Sequence, residues 1–239
     1  MSESTTVSFL ARAMQRRSFF KVAGASVAAS TLVLAGCSDE PDPTPVAENI
    51  LAFNSFDAQG NVIDDGILNY AYLLTQLEAA FYQKVVAAPP ADLQQGELAY
   101  LTDLRDHELI HREYLKAILG SKAYDSGAAT PLEFTFTSFT LTTRVGVWAA
   151  AQQLEDIAAA AYNGAGKLLV VTANLLALAK IASVESRHAA LAHEMVQADS
   201  FGATIGADGL DDTKTPTEVF VLIQPFVPIK LSAANLPIS

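Results

Sequence analysis

Glu-x-x-His occurs twice in this chain, at Glu108–His111 and Glu185–His188, and both copies fall on the apolar stripe of a helical pattern. Leu101, Leu104, Glu108, His111, Leu115 and Ile118 alternate by three and four, the spacing of an inward helix seam. Leu178, Ile181, Glu185, His188, Ala192 and Met195 repeat that seam 77 positions later. With 12 Glu in 239 residues, a Glu three places before a given His is expected about once in twenty. Four His therefore account for about 0.2 such pairs, against the two observed at matched inward positions.

The same shift of 77 aligns Gln76-Leu77-Glu78 with Gln153-Leu154-Glu155, so each half carries a Glu and, thirty residues on, a Glu-x-x-His. Glu78 lies in line with Ala71, Leu74, Phe81 and Val85, and Glu155 with Trp148, Ala151, Ala158 and Tyr162. Six polar groups thus point into one apolar interior. Burying a single unpaired charge costs several kcal/mol, so four carboxylates there need compensation. Two divalent cations supply four positive charges, and a Glu-x-x-His pair can offer an oxygen and a nitrogen to the same ion. Mixed carboxylate and imidazole ligation suits Fe or Mn. The competing reading is a buried polar network that holds no metal.

Other polar and aromatic residues are weaker candidates. His107 and His193 face away from the two pairs and read as solvated helix surface, as does Glu194. Tyr82 and Tyr162 follow Glu78 and Glu155 by one and two turns, as candidates to hydrogen-bond a ligand or act in redox; core packing with a satisfied hydroxyl is the alternative. Trp148 reads as core.

Helical periodicity recurs in four long segments, and the chain reads as all-α. The first follows Asp64 and Asp65 and stops at Pro89 and Pro90; the second runs from about Asp92 or Glu97 to Leu119, ended by Gly120. A third spans about Ser138 to Tyr162, and a fourth starts near Thr172, a candidate N-cap, and reaches about Ala198. The connection from Ser121 to Thr137 is too long for a tight hairpin and is expected to cross from one end of the bundle to the other. Two related helical hairpins joined by that crossover, with residues 60–200 as the bundle, form the expected architecture. Residues 201–239 form a C-terminal extension with one short helix from Thr215, Pro216 in its first turn, and an extended tail.

Composition supports one well-buried domain: 51% hydrophobic residues, 17% charged and a mean hydropathy of +0.26. A formal charge of −11, with no dense Lys/Arg run after residue 37, argues against nucleic acid and for cationic partners such as metal ions. The N-terminus reads as an address. Arg16 and Arg17 precede an apolar run from Val22 to Gly36 that ends in LAGC, with Cys37 the single cysteine. The paired arginines resemble a twin-arginine export signal and LAGC resembles a lipoprotein box, so residues 1–37 are expected to direct export and lipidation at Cys37. The Pro- and acid-rich residues 38–59 would then tether the domain to the membrane of the cell envelope, facing the periplasm, and folding would start near residue 50.

GILNYAYLLTQLEAAFY, LRDHELIHREYL, QLEDIAAAAYNGA and LLALAKIASVESRHAA occur in that order, and over about residues 60–200 the chain resembles bacterial ferritin-like domain proteins related to desiccation-related proteins. The resemblance implies an antiparallel four-helix bundle with a long connection between its second and third helices. It also implies Glu78 and Glu155 as terminal ligands, Glu108 and Glu185 as bridging ligands, and His111 and His188 as ligands to one metal each. An envelope-anchored protein with a dinuclear Fe or Mn centre that reacts with O2 or peroxide, protecting against oxidative or drying stress, is the function so implied. A di-metal oxidoreductase of ferroxidase, peroxidase or catalase type is the corresponding enzyme class. The alternative is a non-catalytic bundle, metal-stabilised or metal-free, with a structural or binding role at the envelope. Sequence leaves open the metal, the catalytic residues and the oligomeric state.

Overall fold

The computed structural model describes residues 49–237, so Arg16, Arg17 and Cys37 lie outside the described residues. In chain order the elements are β1 (Ile50–Ala52), α1 (Asp65–Ala87), α2 (Glu97–Leu119), α3 (Arg144–Ala165), α4 (Thr172–Val196), α5 (Pro216–Ile223) and β2 (Lys230–Ser232). Helix α1 packs along α2 and α3 along α4, and the two pairs meet through α1 and α3. The all-α bundle expected from periodicity is the observed fold.

Contacts at the helix ends fix its directions. Asn69 near the start of α1 donates to the Lys122 carbonyl just past α2, so these two helices run antiparallel. Arg144 at the start of α3 donates to the Met195 carbonyl near the end of α4, so the second pair is antiparallel too. Asp64, preceding α1, accepts from the backbone N–H groups of Val170 and Val171 at 2.8 and 3.1 Å and from the Asn174 side chain. That carboxylate supplies the acceptor that orphan donors at a helix start require, since Val171 offers α4 no side-chain cap. The segment between α2 and α3 therefore traverses the bundle from end to end. Phe136 and Phe139 anchor it against Phe81 and Phe226, with ring centroids 5.0–6.2 Å apart.

Three helix boundaries differ from the periodic reading. Helix α3 begins at Arg144, six residues after Ser138, because Thr143 caps it by accepting from the Gly146 N–H and the preceding residues form turns. It also continues through Asn163 and Gly164, which the sequence suggests as its end. Glycine at 164 answers to packing: a Cβ there would lie 2.0 Å from the Lys214 carbonyl oxygen. Thr172 is the first residue of α4 rather than its cap.

Residues flanking the bundle belong to the same core. Helix α5 opens with a capping box between Thr215 and Glu218, and buries Val219, Phe220 and Ile223. Phe220 meets both Phe53 and Tyr70, at 6.0 and 5.6 Å between centroids. Strand β2 pairs in parallel with β1, Leu231 opposite Leu51. Residues 50–59 include packed chain, Phe53 keeping 3% of its surface exposed, which fits folding from near residue 50 and not a tether that runs to 59. No helix among the described residues is long and apolar enough to cross a membrane.

Candidate metal centre

Glu78 of α1, Glu108 and His111 of α2, Glu155 of α3, and Glu185 and His188 of α4 are all buried, each keeping 8% or less of its surface exposed. Each sits on its helix's inward row. One seam position differs from expectation: Ile118 is 37% exposed and Leu119 is buried in its place. Five turns of a straight helix take about 18 residues, so Leu119, not Ile118, returns to the line of Leu101.

The two histidines turn Nδ1 toward the carboxylates. His111 Nδ1 lies 2.9 Å from Glu185 Oε1 and 3.5 Å from Glu108 Oε2. His188 Nδ1 lies 3.0 Å from Glu108 Oε1 and 3.6 Å from oxygens of both Glu155 and Glu185. Apart from these ion-pair contacts, nine buried donor atoms of the six side chains make no well-aligned hydrogen bond among the described residues. They are both oxygens of Glu78, Glu108 and Glu185, Glu155 Oε2, and Nδ1 of His111 and His188. Leaving buried polar atoms unpaired is costly, and convergence of so many on one place is what a bound cation would relieve. Ligand atoms of Glu108, Glu185 and His188 lie within 4.8 Å of one another, as do those of Glu78, Glu155 and Glu185. Glu185 is common to both groups.

Electrostatics without metal follow from the crowding. Burial, reinforced by Glu185, Glu108 and Glu155, pushes Glu78 well above the ordinary carboxylate range. Burial likewise pushes Glu155 up to about 7, with His188 opposing it. Burial would also raise Glu185, but His111 and His188 outweigh it and hold this carboxyl down at about 2. Both imidazoles move the other way: burial lowers them, and the carboxylates around them win. His111 is raised to about 9 and His188 to about 12. In the metal-free protein, protons on the imidazoles take the place of cationic charge.

The tyrosines separate. Tyr82 donates to Glu155 Oε1 at 2.5 Å, so its hydroxyl touches a candidate ligand. Tyr162 donates instead to the Ala71 carbonyl at 3.4 Å, the satisfied-hydroxyl packing that was its alternative. Trp148 is fully buried core.

Two histidines depart from the surface reading. His107 is exposed as a residue, yet its Nδ1 lies 3.0 Å from His188 Nε2 and its ring stacks on that of His188 at 5.2 Å. Its spacing of four from His111 was the available signal, since residues i and i+4 share a helix side; their rings stack at 6.2 Å. Burial and the neighbouring His188 and His111 lower its pKa. His193 is buried, with Nε2 2.9 Å from Asp156 Oδ1 and the Gln152 amide 3.2 Å from Nδ1. Those partners come from α3, and nothing in the local sequence of α4 announces them.

A model of the ferritin-like domain matches residues 63–198, more than half of the chain. This protein belongs to the ferritin-like domain family. The matched segment starts just before α1 and ends just after α4, so it takes in the whole bundle and all six converging residues. Comparison with curated proteins finds no match.

Proposed function

We propose that this ferritin-like protein binds two divalent ions, Fe or Mn, among Glu78, Glu108, His111, Glu155, Glu185 and His188, and reacts there with O2 or peroxide. The observation carrying this reading is the convergence of four buried carboxylates on two imidazoles, with neither Glu78 oxygen partnered among the described residues. Two ions would balance the four carboxylates and, when bound, supply electrons by changing oxidation state. Glu185, common to both ligand groups, would help to hold both ions, and Glu78 and Glu108 would supply further carboxylate oxygens. For His111 and His188 to ligate through Nδ1, the proton held there must leave, so metal uptake releases protons. Tyr82 holds Glu155 Oε1 and leaves Oε2 toward the cluster.

Location completes the proposal. Arg16, Arg17 and the LAGC ending at Cys37 support export by the twin-arginine route and a lipid anchor in the cell envelope, with protection against oxidative or drying stress as the role. The test is metal analysis of protein exported by its own signal, then anaerobic Fe(II) loading and exposure to O2 or peroxide. Two ions per chain and an optical change on oxidation are expected; no uptake and no optical change overturn the proposal.

One observation favours a second reading, a non-catalytic bundle. His111 Nδ1 lies 2.9 Å from Glu185 and His188 Nδ1 3.0 Å from Glu108, and imidazolium ions there would partly neutralise the carboxylates in place of metal. That reading predicts that replacing Glu108 or Glu185 with Ala alters thermal stability while the protein turns nothing over.

A further inference from the structure

The six converging residues repeat at a shift of 77, but the residues behind them do not. Tyr82 has Ala159 at the matching place in the second half, and His107 has Val184. Both unmatched residues act on the same pair of candidate ligands. Tyr82 donates to Glu155, and His107 Nδ1 faces His188 Nε2 at 3.0 Å. Glu155 and His188 are themselves neighbours, with Oε2 and Nδ1 3.6 Å apart. Across the cluster, neither Glu78 oxygen has a hydrogen-bond partner, and Tyr162, the nearest analogue of Tyr82, spends its hydroxyl on a backbone carbonyl.

We infer that His107 is a positioning residue for His188, and that it makes the metal position His188 serves, with Glu108 and Glu185, tighter than the other. The inference rests on the dinuclear reading above. An imidazole that gives its Nδ1 lone pair to a cation must carry hydrogen on Nε2. In His188 that N–H points at His107 Nδ1, which accepts it. The bond fixes the tautomer and ring plane that ligation needs, and an accepting partner raises the donor strength of the ligating nitrogen. Losing such an outer partner typically costs about 10- to 100-fold in metal affinity. His107 is exposed, so its replacement leaves the packed core intact.

Equilibrium titration of the metal-free full chain with Co(II), followed by its visible absorption, separates the two positions. Wild-type protein should take up two ions in resolved steps. His107→Ala should weaken the first step by about 10- to 100-fold and leave the second within about threefold. His107→Gln, whose side-chain carbonyl can accept the same N–H, should restore the first step and its spectrum. Arg105→Ala, a change on the same helix whose side chain bonds only Asp106 among the described residues, should alter neither step. Two ions bound in indistinguishable steps, or a His107→Ala effect that is absent, equal on both steps or not rescued by Gln, would overturn the inference and leave the dinuclear reading standing. Failure of wild-type protein to bind two ions would overturn both.

Discussion

Two of the polar clusters inside this bundle are built on opposite terms. At one end, Glu97 in the first turn of α2 pairs with Arg144 in the first turn of α3. The guanidinium meets both carboxylate oxygens at 2.6–3.0 Å and reaches the Met195 carbonyl of α4. The Gln94 N–H donates to the same carboxylate at 2.8 Å. Each group there has a partner, so three helix ends are clamped and nothing remains for a ligand. In the middle of the bundle, four carboxylates share two imidazoles, and neither Glu78 oxygen has a partner among the described residues. A satisfied buried cluster specifies structure; a partly satisfied one leaves room for another species to complete it.

The largest expected effect separates these roles. Arg144→Met leaves Glu97 buried without its cation and should lower stability by about 3 kcal/mol. That is the low end for a buried pair, since the Arg144 side chain keeps 20% of its surface in water. Denaturant unfolding measures the loss, and metal content per folded chain should be unchanged. Next comes Glu185→Ala, which removes the carboxylate common to both ligand groups. Metal affinity should fall by more than about 100-fold, beyond the cost of losing an outer partner, as read by metal content after gel filtration.

A smaller change of opposite sign is expected at Glu78, whose oxygens have no hydrogen-bond partner and whose ionisation burial opposes. Glu78→Leu should stabilise the metal-free protein by about 1–2 kcal/mol while weakening metal binding. A loss of stability in the absence of metal would mean that Glu78 has a structural role like that of Glu97.

The smallest effect concerns acid. Burial raises the Glu97 carboxyl, but the hydrogen bonds from Arg144 and the Gln94 N–H outweigh it and hold this group below its ordinary value of 4.5. A depressed folded-state value makes the contribution fully present above that ordinary value and lost as pH falls through the lower one. Arg144→Met should therefore flatten the stability profile of the metal-free protein below about pH 4.5 and leave its slope at neutral pH unchanged.

How much of this was legible in the sequence depends on whether the information was local. The four long helices and the six inward residues were, because helical spacing within each segment decides which side chains share a face. The start of α3 was not, since Thr143 becomes its cap only by ending a crossover whose Phe136 and Phe139 are pinned by Phe81 and Phe226. The place of the C-terminal extension was hidden for a similar reason. Phe220 looks like an ordinary helical apolar residue until Phe53 and Tyr70 are brought to it from far away in the chain. His107 is exposed as its spacing implies, but its contact with His188, like the burial of His193 against Asp156 and Gln152, depends on partners that lie on other helices. Spacing along one helix reports direction, and only packing reports company.

Anomalous X-ray scattering from crystals loaded with Mn(II) tests the central claim most directly. The expected result is two peaks per chain about 3.5–4 Å apart, ringed by Glu78, Glu108, His111, Glu155, Glu185 and His188. No peak among these residues, with the cluster closed by its own protonated imidazoles, would contradict it.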